Sequence, residues 1–166
     1  MNPLKNQSIE KNKAIIESVF ELAKKEVSGL VNVPVIVTNE INNSGFWFEL
    51  DEEHNAMTNP KITIGGLVTV NKKDIDYINN TFGINFKYDL KTALILTILH
   101  EIGHYVDDKN QKDFKSYVIK METQYEKVNK IKDYNCAKLA YRQIPAEYRA
   151  DKFAVDFMLK YFPELC

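Results

Sequence analysis

Apolar positions along the chain switch from helical to alternating spacing and back. Over residues 8–25, Ile9, Ile15, Ile16, Val19, Phe20 and Leu22 recur at helical spacing. Ser8 suits the N-cap of this helix, and Gly29 suits its stop. Residues 33–38 (VPVIVT) are short and β-branched, which predicts a strand. Residues 45–50 (GFWFEL) predict a second strand. After a polar loop over 51–60, residues 61–64 (KITI) alternate polar and apolar and predict a third. Gly65-Gly66 would break that strand, and residues 67–70 would resume it.

From Asn71 onward the spacing is helical. One helix begins there, with Asp74 in its first turn, and ends near Gly83. Asp89 is a suitable N-cap for the strongest helix of the chain, 90 to about 107. Beyond residue 110, Phe114, Val118, Met121, Tyr125, Val128 and Ile131 recur at three and four. Pro145 suits the first turn of a last helix, which runs to about Phe162. Helix, strands, then helices is an α+β order. It predicts a small, mostly antiparallel sheet and a helical C-terminal half, in a single domain over 1–166.

Composition narrows the class. The chain has 166 residues, 45% hydrophobic and 27% charged, with a net charge of -1. That is the make-up of a globular protein with room for its own core. Of 22 basic residues only Arg142 and Arg149 are arginine, the usual residue for bidentate phosphate and guanine contacts. A nucleic-acid partner is therefore not expected. The longest apolar stretch, 93–99, is far short of the roughly 20 residues a membrane span needs. The first twenty residues hold no apolar signal-like core, so the expected location is the cytoplasm. Cys136 and Cys166 are too few for a disulfide framework and read as two reduced thiols.

The candidate chemistry lies in the strongest helix, in His100-Glu101-Ile102-Gly103-His104. Residues i and i+4 are about 40° apart around a helix axis, so both imidazoles leave one face and can reach one metal ion. Glu101 lies on the same side, placed to hydrogen-bond a water on that metal without ligating it. This is the two-histidine, one-base pattern of zinc peptidases. With three histidines in the chain, chance produces it only roughly a few times in a thousand. The alternative is a pair of histidines on an ordinary amphipathic helix.

A zinc site needs at least one more protein ligand. The last helix offers Glu147 and Asp151, four apart on one face. Glu147 can be the third ligand, and Asp151 can accept the free ring N–H of His100 and set its tautomer. Ala146, Ala150 and Ala154 beside them are small, as a close helix approach requires. The alternative is a solvated acidic face. Glu164 lies too near the chain end, and Glu122 and Glu126 belong to a polar stripe.

HEIGHYVD followed by EYRADKFA resembles the gluzincins, zinc peptidases with HExxH and a downstream Glu ligand. The Glu147-Tyr148-Arg149-Ala150-Asp151 segment is similar to the ImmA/IrrE-type metallopeptidases. It is also similar to the membrane-bound HtpX type, whose spans are missing here. The resemblance implies a minimal zincin-like fold, one bound zinc held by His100, His104 and Glu147, and Glu101 as general base. It implies a peptide or protein substrate, often a repressor or regulator. Residues 1–44 and 110–143 resemble nothing specific.

Supporting parts are expected as well. KITI is the expected sheet edge along the cleft, where a peptide could add as a strand. Tyr148, Tyr141, Tyr105 and His54 are all chemically able to stabilise an oxyanion. Gly103 is read as a site of close backbone packing, and Asp51-Glu52-Glu53-His54 as a solvated loop. The competing function is a zincin-like, zinc-binding regulatory or interaction module without turnover, against which the intact Glu101 argues.

Overall fold

The computed structural model describes residues 9–166, so the Ser8 N-cap lies outside the described residues. Helix α1, Ile9–Glu26, buries Ile16, Val19, Phe20 and Ala23, the one face its spacing allows. Gly29 follows in the left-handed region, at φ 83°, and opens a short 3-10 turn, Leu30–Asn32. That turn is closed by the Val33 N–H donating to the Leu30 carbonyl, so strand β1 starts two residues later than expected and covers Val35–Ile41.

Strand β2 covers Gly45–Leu50 and β3 Met57–Leu67. The sheet order is β1-β3-β2. β1 pairs parallel with β3, Val35 opposite Ile62, and β2 pairs antiparallel with it, Phe46 also opposite Ile62. The sheet is thus evenly mixed and not mostly antiparallel. KITI is its central strand, and β2 is an edge.

The Gly65-Gly66 pair does not break β3. The β1–β2 connection crosses over this end of the central strand. A Cβ on Gly65 would stand 2.8 Å from the Asn43 backbone nitrogen, and one on Gly66 2.7 Å from the Thr38 carbonyl oxygen. Glycine is there because other backbone lies close, the crossing connection at Gly65 and the neighbouring strand β1 at Gly66.

Helix α2, Lys72–Phe82, is capped as expected. The Asn71 side chain accepts from the Lys73 N–H, and Gly83 ends the helix at φ 67°. Helix α3, Leu90–Lys109, starts at Asp89, whose carboxylate accepts from the Thr92 N–H at 2.7 Å. The helical run past residue 110 is two helices, α4, Phe114–Asn129, and α5, Tyr134–Arg142, each capped by an aspartate. Helix α6, Pro145–Tyr161, begins with its proline.

The main core holds α1, β3, α3 and α6, with Leu94, Ile95, Ile98, Leu99, Ile102 and Met158 almost wholly buried. A separate small cluster of Met121, Ile144 and Ala146 lies under α4. Among the described residues no helix is long and apolar enough to cross a membrane. Both cysteines are unpaired and exposed.

Candidate metal centre

Two buried helices make the site. α3 supplies the histidines and α6 the carboxylates, and the helices meet where Gly103 packs on Ala150; the small residues Ala146 and Ala154 on either side are buried as well. The expected close approach is therefore present, and its reason is steric.

His100, His104 and Glu147 converge, with one donor atom from each lying within 4.8 Å of the others. The two Nε2 atoms are 3.1 Å apart, His100 Nε2 is 3.2 Å from Glu147 Oε2, and His104 Nε2 is 3.6 Å from Glu147 Oε1. Two ligand atoms at about 2.1 Å from a tetrahedral zinc would be roughly 3.4 Å apart, so the triangle has the right size. The imidazole rings stand edge to face, with centroids 4.6 Å apart.

Glu147 is almost wholly buried. Its Oε1 accepts a hydrogen bond from the Tyr125 hydroxyl at 2.5 Å. Its Oε2 approaches His100 but makes no well-aimed hydrogen bond, and stays a buried acceptor without a partner. A buried carboxylate set against two imidazoles, with one oxygen lacking a hydrogen bond, could hold a cation. Two nitrogens and one oxygen are a donor set that suits zinc.

Asp151 stands where the sequence puts it. His100 Nδ1 is 2.8 Å from Asp151 Oδ1, so the ring donates there and leaves its Nε2 lone pair for a metal. Asp151 is itself held by Arg142 Nη1, 2.9 Å and 3.0 Å from its two oxygens. Without a metal, burial works against the His100 cation, but the Asp151 and Glu147 carboxylates outweigh it and push the imidazole up to about 10. Burial works against ionised Glu147 too, yet the two histidines hold its carboxyl well below the usual range. The metal-free pocket is arranged for positive charge.

Glu101 is buried beside them and does not belong to the triangle. Burial raises its pKa, offset in part by the two histidines and by a backbone hydrogen bond from Phe46. Two cavities flank it, of about 450 and 540 Å³, and share Ser44, His100, Glu101 and Tyr141 in their walls. One sets the polar side chains of Asn42, Thr69, Asp74 and Lys138 beside an apolar wall of Ile75, Ile78 and Leu96. The other runs along β2 past Phe46, Trp47 and Phe48, and under Tyr117 and Met121 of α4. The strand at the cleft is thus β2, not KITI.

Of the oxyanion candidates only Tyr141 lines these cavities. Tyr148 stacks on Phe82 at 5.4 Å outside them, and Tyr105 packs against Phe46 on the core side. His54 sits in the exposed β2–β3 turn at φ 59°, and that acidic loop is solvated as expected. Glu122 proves to line the aromatic cavity from its exposed position.

Sequence reasoning missed Tyr125 and Arg142. Arg142 had a signal, as one of only two arginines. Tyr125, one of nine tyrosines on a helix read for its periodicity, had none. Comparisons with protein-family models, with curated proteins and with solved structures find no match to this chain.

Proposed function

We propose that this protein is a zinc metallopeptidase of the HExxH type, similar to the gluzincins and to the ImmA/IrrE-type enzymes among them. The observation that carries the reading is the convergence of His100, His104 and the buried Glu147, whose Oε2 lacks a hydrogen bond, with Glu101 beside them in a cleft. These three residues would hold one zinc ion. Zinc bound there would acidify a water and polarise a carbonyl.

The remaining chemistry belongs to the chain. Glu101, its basicity raised by burial, accepts the proton of the attacking water and returns it to the leaving amine. Asp151 keeps the His100 tautomer with the proton on Nδ1. Tyr141 lines both cavities beside Glu147, and is the candidate donor to the developing oxyanion. A peptide would lie along β2, the sheet edge that lines the aromatic cavity. The substrate class is accordingly a peptide or an extended segment of a protein.

The test is metal content followed by turnover. The purified chain should carry one zinc, and should cleave a peptide library in a way that chelation abolishes. A chain that binds zinc and cleaves nothing would mean a zinc-binding module instead. A chain that takes up no zinc would remove the reading.

A further inference from the structure

Helices α4 and α5 contribute none of the three candidate ligands, yet each reaches one of the two α6 carboxylates. Tyr125 on α4 donates to Glu147 Oε1 at 2.5 Å. Arg142, the last residue of α5, sets Nη1 between both oxygens of Asp151, at 2.9 and 3.0 Å. We propose that the α4–α5 segment is a clamp on the metal centre, in which Tyr125 and Arg142 are positioning residues that hold Glu147 and Asp151 toward the metal. The clamp rests on the reading of the site as a zinc centre.

The chemistry of the two carboxylates requires such partners. With Oε1 tied to Tyr125, Glu147 cannot turn freely, and its Oε2 is left facing His100 at 3.2 Å. Asp151 Oδ1 accepts from both His100 Nδ1 and Arg142. Its side chain is 4% exposed, and a carboxylate so buried needs a countercharge. Helix α6 cannot provide one. Its Arg149 is engaged with Asp107 at 2.5 Å, and its Lys152 with Asp156 at 2.7 Å. The countercharge comes from α5.

Arg142 is in turn fixed from a third helix. Its guanidinium lies 5.6 Å from the Tyr77 ring centroid, the Tyr77 hydroxyl donates to its backbone carbonyl at 3.2 Å, and Nη2 is 3.7 Å from Asp74. The line of contacts runs from α2 through Arg142 and Asp151 to His100. Core filling does not explain this. α5 buries no residue of its own, and the small cluster under α4 is separate from the main core. Among what the segment presents inward are the Tyr125 phenol and the Arg142 guanidinium, each aimed at a site carboxylate.

The test uses the full chain, stripped of metal and reloaded. Zinc affinity is read by competition with a chromophoric chelator, and ligand geometry by the visible absorption of the cobalt(II) form. Tyr125→Phe and Arg142→Gln should each weaken zinc by ~10- to 100-fold, as loss of a group that orients a ligand does. Their cobalt bands should change in position or intensity while circular dichroism stays that of the parent. Arg142→Lys, which keeps the charge, should recover part of the affinity. Lys160→Gln, which breaks a surface pair with Glu26, should alter neither reading. Variants that bind zinc as tightly as the parent, with its cobalt spectrum, overturn the clamp, whatever happens to their melting temperatures. Tyr125→Phe removes a single oxygen, and decides the matter even where Arg142→Gln fails to fold. A parent that takes up no zinc overturns the metal centre and the clamp together. A parent that binds it beside unaltered variants overturns the clamp alone.

Discussion

Gly103 on α3 faces Ala150 on α6 so closely that a Cβ on Gly103 would stand 2.7 Å from the Ala150 Cα and 2.8 Å from its carbonyl oxygen. Both obstacles are backbone, which cannot swing aside as the tip of a side chain can. The contact sets the separation of the two helices one residue before His104 and three after Glu147. Gly103→Ala gains about 1 kcal/mol of helix propensity. The overpacking is expected to outweigh that gain, at roughly 1–3 kcal/mol. The melting temperature should drop and zinc affinity with it. A more stable variant with unaltered affinity would show that the helices part freely here.

The histidines and Glu101 should separate metal binding from turnover. His100→Ala or His104→Ala leaves two protein ligands and should abolish stoichiometric zinc, as read by elemental analysis. Glu101→Gln should keep its zinc, because Glu101 lies outside the ligand triangle. Its turnover should fall by ~10² to 10⁴ for the lost base. Full activity in that variant would remove Glu101 from the mechanism.

Glu147 and Asp151 should differ in kind. Both are buried, at 1% and 3% exposure, in the walls of the two cavities, so isosteric amides are the right variants. Glu147→Gln keeps an acceptor for Tyr125 but removes the anionic ligand, and zinc should be largely lost. Asp151→Asn leaves the ligands and weakens the support of His100, for a loss of ~10- to 100-fold. Glu126→Gln, exposed on α4 and outside both cavities, is the control. Glu122 is not, since it lines the cleft. Equal zinc affinity in Glu147→Gln and Glu126→Gln, measured by chelator competition, would put the third ligand elsewhere.

Asp108 should make stability depend on pH. Burial pushes its carboxyl from 3.8 to about 6, although the Tyr117 hydroxyl, 2.7 Å away, donates to it. A folded-state pKa above the unfolded one means that the native chain binds the proton more tightly. Asp108 therefore costs stability as pH rises from about 4 to about 6, and the loss persists above. Its ceiling is near 3 kcal/mol, at about 1.4 kcal/mol per pKa unit. Asp108→Asn should raise the melting temperature of the metal-free protein at pH 8 and leave it nearly unchanged at pH 4. The reverse order would mean that the ionised form is the stabilising one.

Local chemistry determined much of this protein before any contact was known. Asp89 and Asn71 cap their helices, Gly29 and Gly83 adopt the left-handed region, and Pro145 opens α6, because each acts on its immediate neighbours in the chain. The spacing of four in His100/His104 and Glu147/Asp151 likewise sets each pair on one helix face. That those two faces meet is a tertiary fact, though the run of small residues at Ala146, Ala150 and Ala154 foretold it. Sheet order was not legible. KITI alternates like an edge strand, but β1 and β2 both pair with it, and pairing partners leave no mark in the period of a strand. Gly65-Gly66 reads as a break from the sequence and in the fold makes room for the crossing chain and for strand β1. The hold of Tyr125 and Arg142 on the α6 carboxylates was decided by the tertiary structure alone. A hydrogen bond between residues 22 apart, or an ion pair between helices, depends on where whole elements pack, and no local spacing encodes that.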